Sequence, residues 1–165
     1  MLESVLWDAE GQKLSGPALI GFVVSEIKSR IPLGERMTKA EIYEKAWALA
    51  QKNDFFLVDE IYHPDYKSFD FRTGIYANLE DDKVIVSTLD EECTYGPYEI
   101  IYENDEFLCF YKYVTYQLAG EEPSFETFMH AINYKDGKII KQKTTVQELD
   151  FDPSEYFDWN WEDYE

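Results

Sequence analysis

The feature that most constrains this chain lies near its end. Two segments of two-residue alternation, 125–134 and 138–147, flank Lys135-Asp136-Gly137. Alternation marks strands with one buried face, and Asp-Gly between two such runs is a strong hairpin signal. Loop length matters here, because a slip of one residue moves every side chain to the other face. A two-residue turn would set Lys141 and Lys143 on the face of Phe128, His130 and Ile132. A three-residue loop, with Gly137 as its left-handed bulge residue, groups Phe128, His130, Ile132 and Tyr134 with Ile140, Gln142, Thr144 and Val146 instead. That register separates lysines from aromatics and is the one expected. It turns His130 and Gln142 inward.

A second hairpin is expected upstream, with Tyr98–Glu103 and Phe107–Leu118 about a two-residue Asn104-Asp105 turn. It pairs Tyr102 with Phe107, Ile100 with Cys109 and Tyr98 with Tyr111, and points Tyr98, Tyr111 and Tyr113 inward. Another alternating segment, Tyr66–Arg72, ends at Thr73-Gly74. Segment 78–92 reads two ways. Asn78-Leu-Glu-Asp81 resembles a helix start, yet Val84-Ile85-Val86-Ser87-Thr88 suits a strand. Before the strands, Thr38-Lys39-Ala40-Glu41 has the capping-box pattern. Ile42, Ala46, Leu49 and Ala50 follow as an apolar stripe, with Tyr43 and Trp47 on its flank. Asn53-Asp54 closes this helix and caps a short one over 55–62, which His63-Pro64 stops. Residues 1–37 read as an extension with a short strand and one helix, residues 38–150 as the main domain, and 151–165 as an acidic aromatic tail. The whole is expected to be an α+β domain around a strongly bent antiparallel sheet.

Composition narrows the partners. Thirty-four acids against 15 bases give a net charge of −19, which argues against nucleic acid or an anionic membrane surface, since both are held by clustered Lys and Arg. Cys93 and Cys109 have no further Cys or His at ligand spacing, so buried free thiols are expected, with neither disulfide nor metal. No Gly-rich phosphate loop or nucleophile elbow occurs, and no cofactor is expected. No signal peptide or membrane span is visible, which makes the cytoplasm the expected location.

Helix, short helix, strand, an open segment and then long hairpins is the order of the nuclear-transport-factor-2-like superfamily. Glu60-Ile-Tyr-His-Pro-Asp-Tyr66, with Phe69-Asp70 and Thr73-Gly74, resembles the start of the first strand in SnoaL-like proteins. Ile132-Asn-Tyr-Lys-Asp-Gly-Lys-Ile139 and Leu149-Asp150 resemble their final hairpin and its ending. The resemblance covers about residues 38–150. It implies a cone-shaped α+β barrel with a small-molecule pocket at its open end and dimerisation through the outer sheet face. Its members include polyketide cyclases, ketosteroid isomerase, scytalone dehydratase, epoxide hydrolases and many proteins without known chemistry.

The resemblance also implies a carboxylate or His in an apolar pocket, where burial makes a carboxylate a stronger base and Tyr hydroxyls stabilise an enolate oxygen. Asp70, between Phe69 and Phe71, is the first candidate base; a solvent-facing Asp70, or one paired with Arg72, is the plainer alternative. His130 is the second candidate, although His130 and Gln142 could simply satisfy each other in the core. Tyr66, Tyr98, Tyr111, Tyr113, Phe128, Gln142 and Thr144 are the expected pocket residues. The expected function is binding of a small apolar or polyketide-like ligand by a homodimer, with isomerase, cyclase or dehydratase chemistry. The alternative is a non-catalytic dimerisation or partner-binding domain whose cone its own aromatics fill. Seven acids, six aromatics and no base between Asp150 and Glu165 suggest a tail that wraps on its own dimer. Docking on a basic partner is the other possibility.

Overall fold

In the computed structural model, which describes residues 37–88, 93–117 and 119–164, helix α1 (Lys39–Gln51) starts at its capping signal. The Thr38 hydroxyl accepts from the Glu41 amide at 3.1 Å, and the Glu41 carboxylate accepts from the Thr38 amide at 2.6 Å. The buried face of α1 is Ala40, Tyr43, Ala46 and Ala50. Tyr43 is therefore central to that face and not on its flank, while Ile42 and Leu49 are half-buried. Three alanines let the helix approach the sheet closely, and Tyr43 fills the space they leave. The expected strand and helix before Met37 lie outside the described residues.

Asn53 takes a left-handed backbone (φ 61°) after α1, and the Asp54 carboxylate accepts from the Phe56 amide at 3.2 Å. Helix α2 (Phe56–Ile61) follows and passes directly into strand β1 (Tyr62–Asp70). Strand β2 (Ile75–Ala77) turns back on β1. Segment 78–92 resolves as helix α3 (Leu79–Thr88), with 89–92 outside the described residues. The local reason is a reciprocal cap: Asn78 Oδ1 accepts from the Asp81 amide at 3.1 Å, and Asp81 accepts from the Asn78 amide at 3.0 Å. Capping outweighs the β-branched residues. Val84 and Ile85 stay half-exposed or more.

Strands β3 (Cys93–Glu103), β4 (Phe107–Tyr116), β5 (Ser124–Lys135) and β6 (Lys138–Leu149) complete a six-stranded sheet of order β2-β1-β6-β5-β4-β3. The sheet curls without closing. Its one parallel pair is β1 with β6; every other neighbour is antiparallel. The architecture is α+β, with helices against a curled sheet.

The β3–β4 connection is longer than a two-residue turn. The Asn104 amide donates to the Phe107 carbonyl, and Asn104 Oδ1 accepts from the Glu106 and Phe107 amides. Tyr102 consequently faces Cys109, Ile100 faces Phe110 and Tyr98 faces Lys112. Next to the turn the pairing is offset by two residues, which keeps the faces. The register shift between Ile100 and Tyr102 makes the offset one residue beyond it, and that reverses the faces expected for β4. Leu108, Phe110, Lys112 and Val114 point inward, and Tyr111 and Tyr113 point outward.

The last hairpin corrects the expected loop while preserving the faces. Asp136 (φ 52°) and Gly137 (φ 76°) are both left-handed, as a two-residue type I′ turn requires. A register shift between Asn133 and Tyr134 supplies the extra residue, so Tyr134 pairs with Ile139, not Ile140. Beyond that bulge His130 faces Thr144, Ile132 faces Gln142, and Lys141 and Lys143 are exposed.

The apolar core is made by the α1 face, Val58, Tyr62, Tyr66, Leu108, Phe110, Ile132 and Ile139. Nothing lies near the place a Gly137 side chain would occupy, so only backbone strain opposes one there. Gly137→Ala is expected to lower unfolding free energy by about 1 kcal/mol, measured by urea denaturation.

Candidate functional site

Along β4 and β5 the core gives way to a cavity. Lys112, Phe128 and His130 form this part of its wall. Helix α1 contributes Tyr43, Glu44 and Trp47; α3 contributes Asp82, Ile85 and Val86; β3 contributes Cys93, Tyr95 and Tyr98. Among the described residues the cavity measures about 770 Å³, a size that suits a small organic molecule.

A buried polar cluster stands in this wall. The Tyr43 hydroxyl donates to Gln142 Oε1 at 3.2 Å, and Gln142 Nε2 donates to the Thr144 hydroxyl at 3.2 Å. The Thr144 oxygen lies 3.0 Å from His130 Nδ1, and Gln142 Nε2 lies 3.4 Å from the same nitrogen. Donors converge on Nδ1, so the network assigns it as the acceptor and leaves the imidazole proton on Nε2. Nε2 is buried and has no partner among the described residues. The ring is held by Phe110 at 5.1 Å, Tyr43 at 5.8 Å and Phe128 at 6.1 Å between centroids. Burial, followed by the nearby Lys112 charge, pushes the His130 pKa down to about 3. At neutral pH it is a neutral hydrogen-bond donor.

Lys112 is the second inward polar group. Its ammonium lies 3.2 Å from Glu44 and 4.3 Å from the Tyr95 ring centroid, and its side chain is 8% exposed. Breaking such a pair from one side leaves a buried charge, which costs more than the pair contributes.

Two carboxylates line the cavity, Glu44 and Asp82, and Asp82 is the one not paired with Lys112. It accepts from Tyr66 at 2.8 Å and from Ser68 at 3.2 Å. Its pKa is nevertheless raised, because burial outweighs those two hydrogen bonds. Lys83, bonded to Asp59 at 2.6 Å and Glu80 at 2.8 Å, ties α3 to α2 beside it. Cys93, also in the wall, has its thiol pushed up to about 11 by burial, so it is a poor nucleophile. Cys93 and Cys109 are both free and half-buried. Among the described residues no cluster of three or more His, Cys, Asp or Glu could hold a metal ion, and no helix is long and apolar enough to cross a membrane.

The structure brings together only part of the expected set. His130, Gln142, Phe128 and Tyr98 line the cavity, and Thr144 supports His130 from behind. Tyr66 acts through Asp82 and does not itself line the cavity. Asp70 is not in the wall. Its carboxylate accepts from the Thr73 amide and hydroxyl at 2.9 and 3.2 Å, closing the turn that Gly74 (φ 70°) completes. Arg72 pairs with Glu126 and not with Asp70. Tyr111 donates to Glu99 on the outer face at 2.6 Å, and Tyr113 stacks on Trp159 there. Asp82 and Lys112 were missed for specific reasons. Asp82 follows the Asn78–Asp81 capping motif in a segment that propensity left open. Lys112 alternates with Leu108, Phe110 and Val114, a pattern legible once the bulge between Ile100 and Tyr102 is counted together with the Asn104 turn.

No protein-family model matches the chain, and no curated protein matches it in sequence. Solved structures do match. IdmH from Streptomyces antibioticus, described as a candidate polyketide cyclase, superposes with a TM-score of 0.53 at 14% identity over 66% of this chain and 91% of its own. A candidate SnoaL-like polyketide cyclase from Jannaschia gives 0.52 at 12% identity over 69% and 92%. A protein of ketosteroid isomerase-like fold from Catenulispora acidiphila, solved with trimethylamine, gives 0.50 at 14% identity over 66% and 85%. The chain shares the SnoaL-like, ketosteroid isomerase-like fold of these structures. At this identity the likeness carries the fold, and chemistry has to be argued from the site.

His130 and Asp82 act oppositely on stability. The folded His130 value of about 3 lies below the unfolded value of about 6.5. Its neutral burial is therefore fully tolerated above pH 6.5, and stability is lost as pH falls towards 3. The raised Asp82 value works the other way, adding stability as pH falls. Between pH 7.5 and 5, wild type should lose on the order of 1–2 kcal/mol more than His130→Phe. Urea denaturation of both at the two pH values checks this.

Proposed function

We propose that this domain binds a small, largely apolar molecule in the SnoaL-like cavity and holds one oxygen of it on His130 Nε2–H. The observation that carries the reading is that His130, a residue of the cavity wall, has a buried Nε2 with no partner among the described residues. A donor without an acceptor in a low-dielectric setting is costly, and a ligand oxygen would satisfy it. Trp47, Phe128, Ile85 and Val86 offer the apolar body of the ligand its surface. A domain whose cone its own aromatics fill would leave no such space.

The same groups support acid–base chemistry. An Asp82 carboxylate with a raised pKa is a stronger base than an ordinary one once ionised. It would remove a proton from carbon next to a carbonyl, and the enolate oxygen would be stabilised by the His130 donor. Tyr66 and Ser68 hold the carboxylate during the transfer. Isomerase, cyclase and dehydratase chemistry all begin with such a step. Asp82 takes the role that sequence reading gave to Asp70.

Titration calorimetry with 2-hydroxy-1,4-naphthoquinone, a planar apolar body bearing carbonyl oxygens, should show one saturable site. His130→Phe should weaken it by up to about tenfold, the size of one hydrogen bond. Lys141→Ala, on the opposite face, should leave it unchanged. Absence of saturable binding across hydroxylated naphthoquinones and naphthols would overturn the reading.

A further inference from the structure

The C-terminal segment is attached to the domain in a way that ordinary surface packing does not require. After β6, the Asp152 carboxylate caps a short turn by accepting from the Ser154 amide at 2.9 Å. It also accepts from the Trp161 indole at 3.0 Å. Those hydrogen bonds hold its pKa low against the opposing effect of burial. Two stacking contacts fix the segment on the outer sheet face: Trp159 lies on Tyr113 at 5.8 Å, and Trp161 lies on Phe125 at 6.0 Å.

The sheet accommodates this pair at one residue. Gly96 sits on edge strand β3, and a Cβ there would meet Trp161 at 2.9 Å and Trp159 at 3.3 Å. Even a Cβ would force the Trp161 ring to shift, and a large side chain has no room beneath the two tryptophans. Gly96 also lines the cavity, so the contact is made on the reverse of the cavity wall. Beyond Trp161 the chain rounds that edge, and Tyr164, 43% exposed, lines the same cavity as His130 and Cys93. Trp159 holds the Tyr164 ring edge-on at 6.0 Å.

We propose that the tail is a working wall of the site, with the tryptophans as its anchor and Tyr164 as the residue that limits the size of what enters. This rests on the cavity being where ligands bind. Stabilising the sheet does not require a side chain in the cavity, and Tyr164 is one. The substrate class follows from the position of the ring. Compact molecules fit behind Tyr164, and a body with an additional fused ring would need that phenol displaced.

The test reads Cys93, which shares the cavity, in a Cys109→Ser background where it is the only thiol. N-ethylmaleimide and N-(1-pyrenyl)maleimide carry the same neutral reactive group on bodies of different size. Tyr164→Ala should raise the pyrenyl reagent's rate several-fold and change that of the ethyl reagent little. Tyr164→Phe, which keeps the ring, should behave as wild type. Gly96→Leu should reproduce Tyr164→Ala by displacing the anchor. Unchanged rates in both Tyr164→Ala and Gly96→Leu would overturn the proposal. So would equal acceleration of both reagents, which signals general loosening. The labelling needs no ligand. A wild type that binds no naphthoquinone but keeps its maleimide selectivity would sink the ligand reading and leave the wall standing.

Discussion

One extra residue in the β5–β6 hairpin governs this domain. The type I′ turn at Asp136-Gly137 fixes the direction of the two strands, and its right-handed twist suits them. Left alone, that turn would pair the strands so that Lys141 and Lys143 shared the face of His130. The bulge at Asn133–Tyr134 resets the count. Every inward residue of β5 and β6 then falls in place, with Ile132 and Ile139 in the core, His130 and Gln142 in the cavity wall and Thr144 bonded to His130 behind it. Without the bulge, two ammonium groups would replace a hydrogen-bonded amide and hydroxyl in a site shielded from water. The fold could not carry that cost.

The cavity wall is polar only where each group has a reason to be inside. Lys112 has Glu44, Asp82 has Tyr66 and Ser68, and Gln142 has Tyr43 and Thr144. Among the described residues His130 has partners for one nitrogen and none for the other. Buried polar networks are stabilising only when complete. An incomplete member in a residue of the cavity wall therefore marks a place where function and stability diverge. The surrounding aromatics keep the ring from turning to find another acceptor.

How much of this was legible depended on whether the signal was local. The capping box at Thr38–Glu41 and the face of His130 could be read directly. The first is a four-residue motif, and the second follows from keeping lysines away from aromatics. The reading of the final loop was wrong in type yet right in consequence, because a bulged loop and a bulged strand each add one residue. The Asn104 turn shows the opposite case. The longer turn shifts the pairing by two residues and the bulge between Ile100 and Tyr102 takes one back, so an unbulged two-residue hairpin put Tyr111 and Tyr113 inside and hid Lys112. Asp70 looked costly between two phenylalanines, but its hydrogen bonds with Thr73 are local to the turn. Asp82 could not be placed until helix and strand were decided for 79–88, and that depended on a cap competing with β-branched residues.

Helix α3 carries Asp82 but buries none of its own residues fully. It is held by Lys83 to α2, by Asp82 to β1, and by the partial packing of Leu79 on the core. Attachment of this kind has a low local opening free energy compared with the sheet, whose strands share long ladders and apolar contacts. Asp82 is thus mounted on a helix with no fully buried residue, while His130 belongs to a strand with neighbours on both sides. One half of the site can yield as a guest arrives, and the other half stays as a fixed reference.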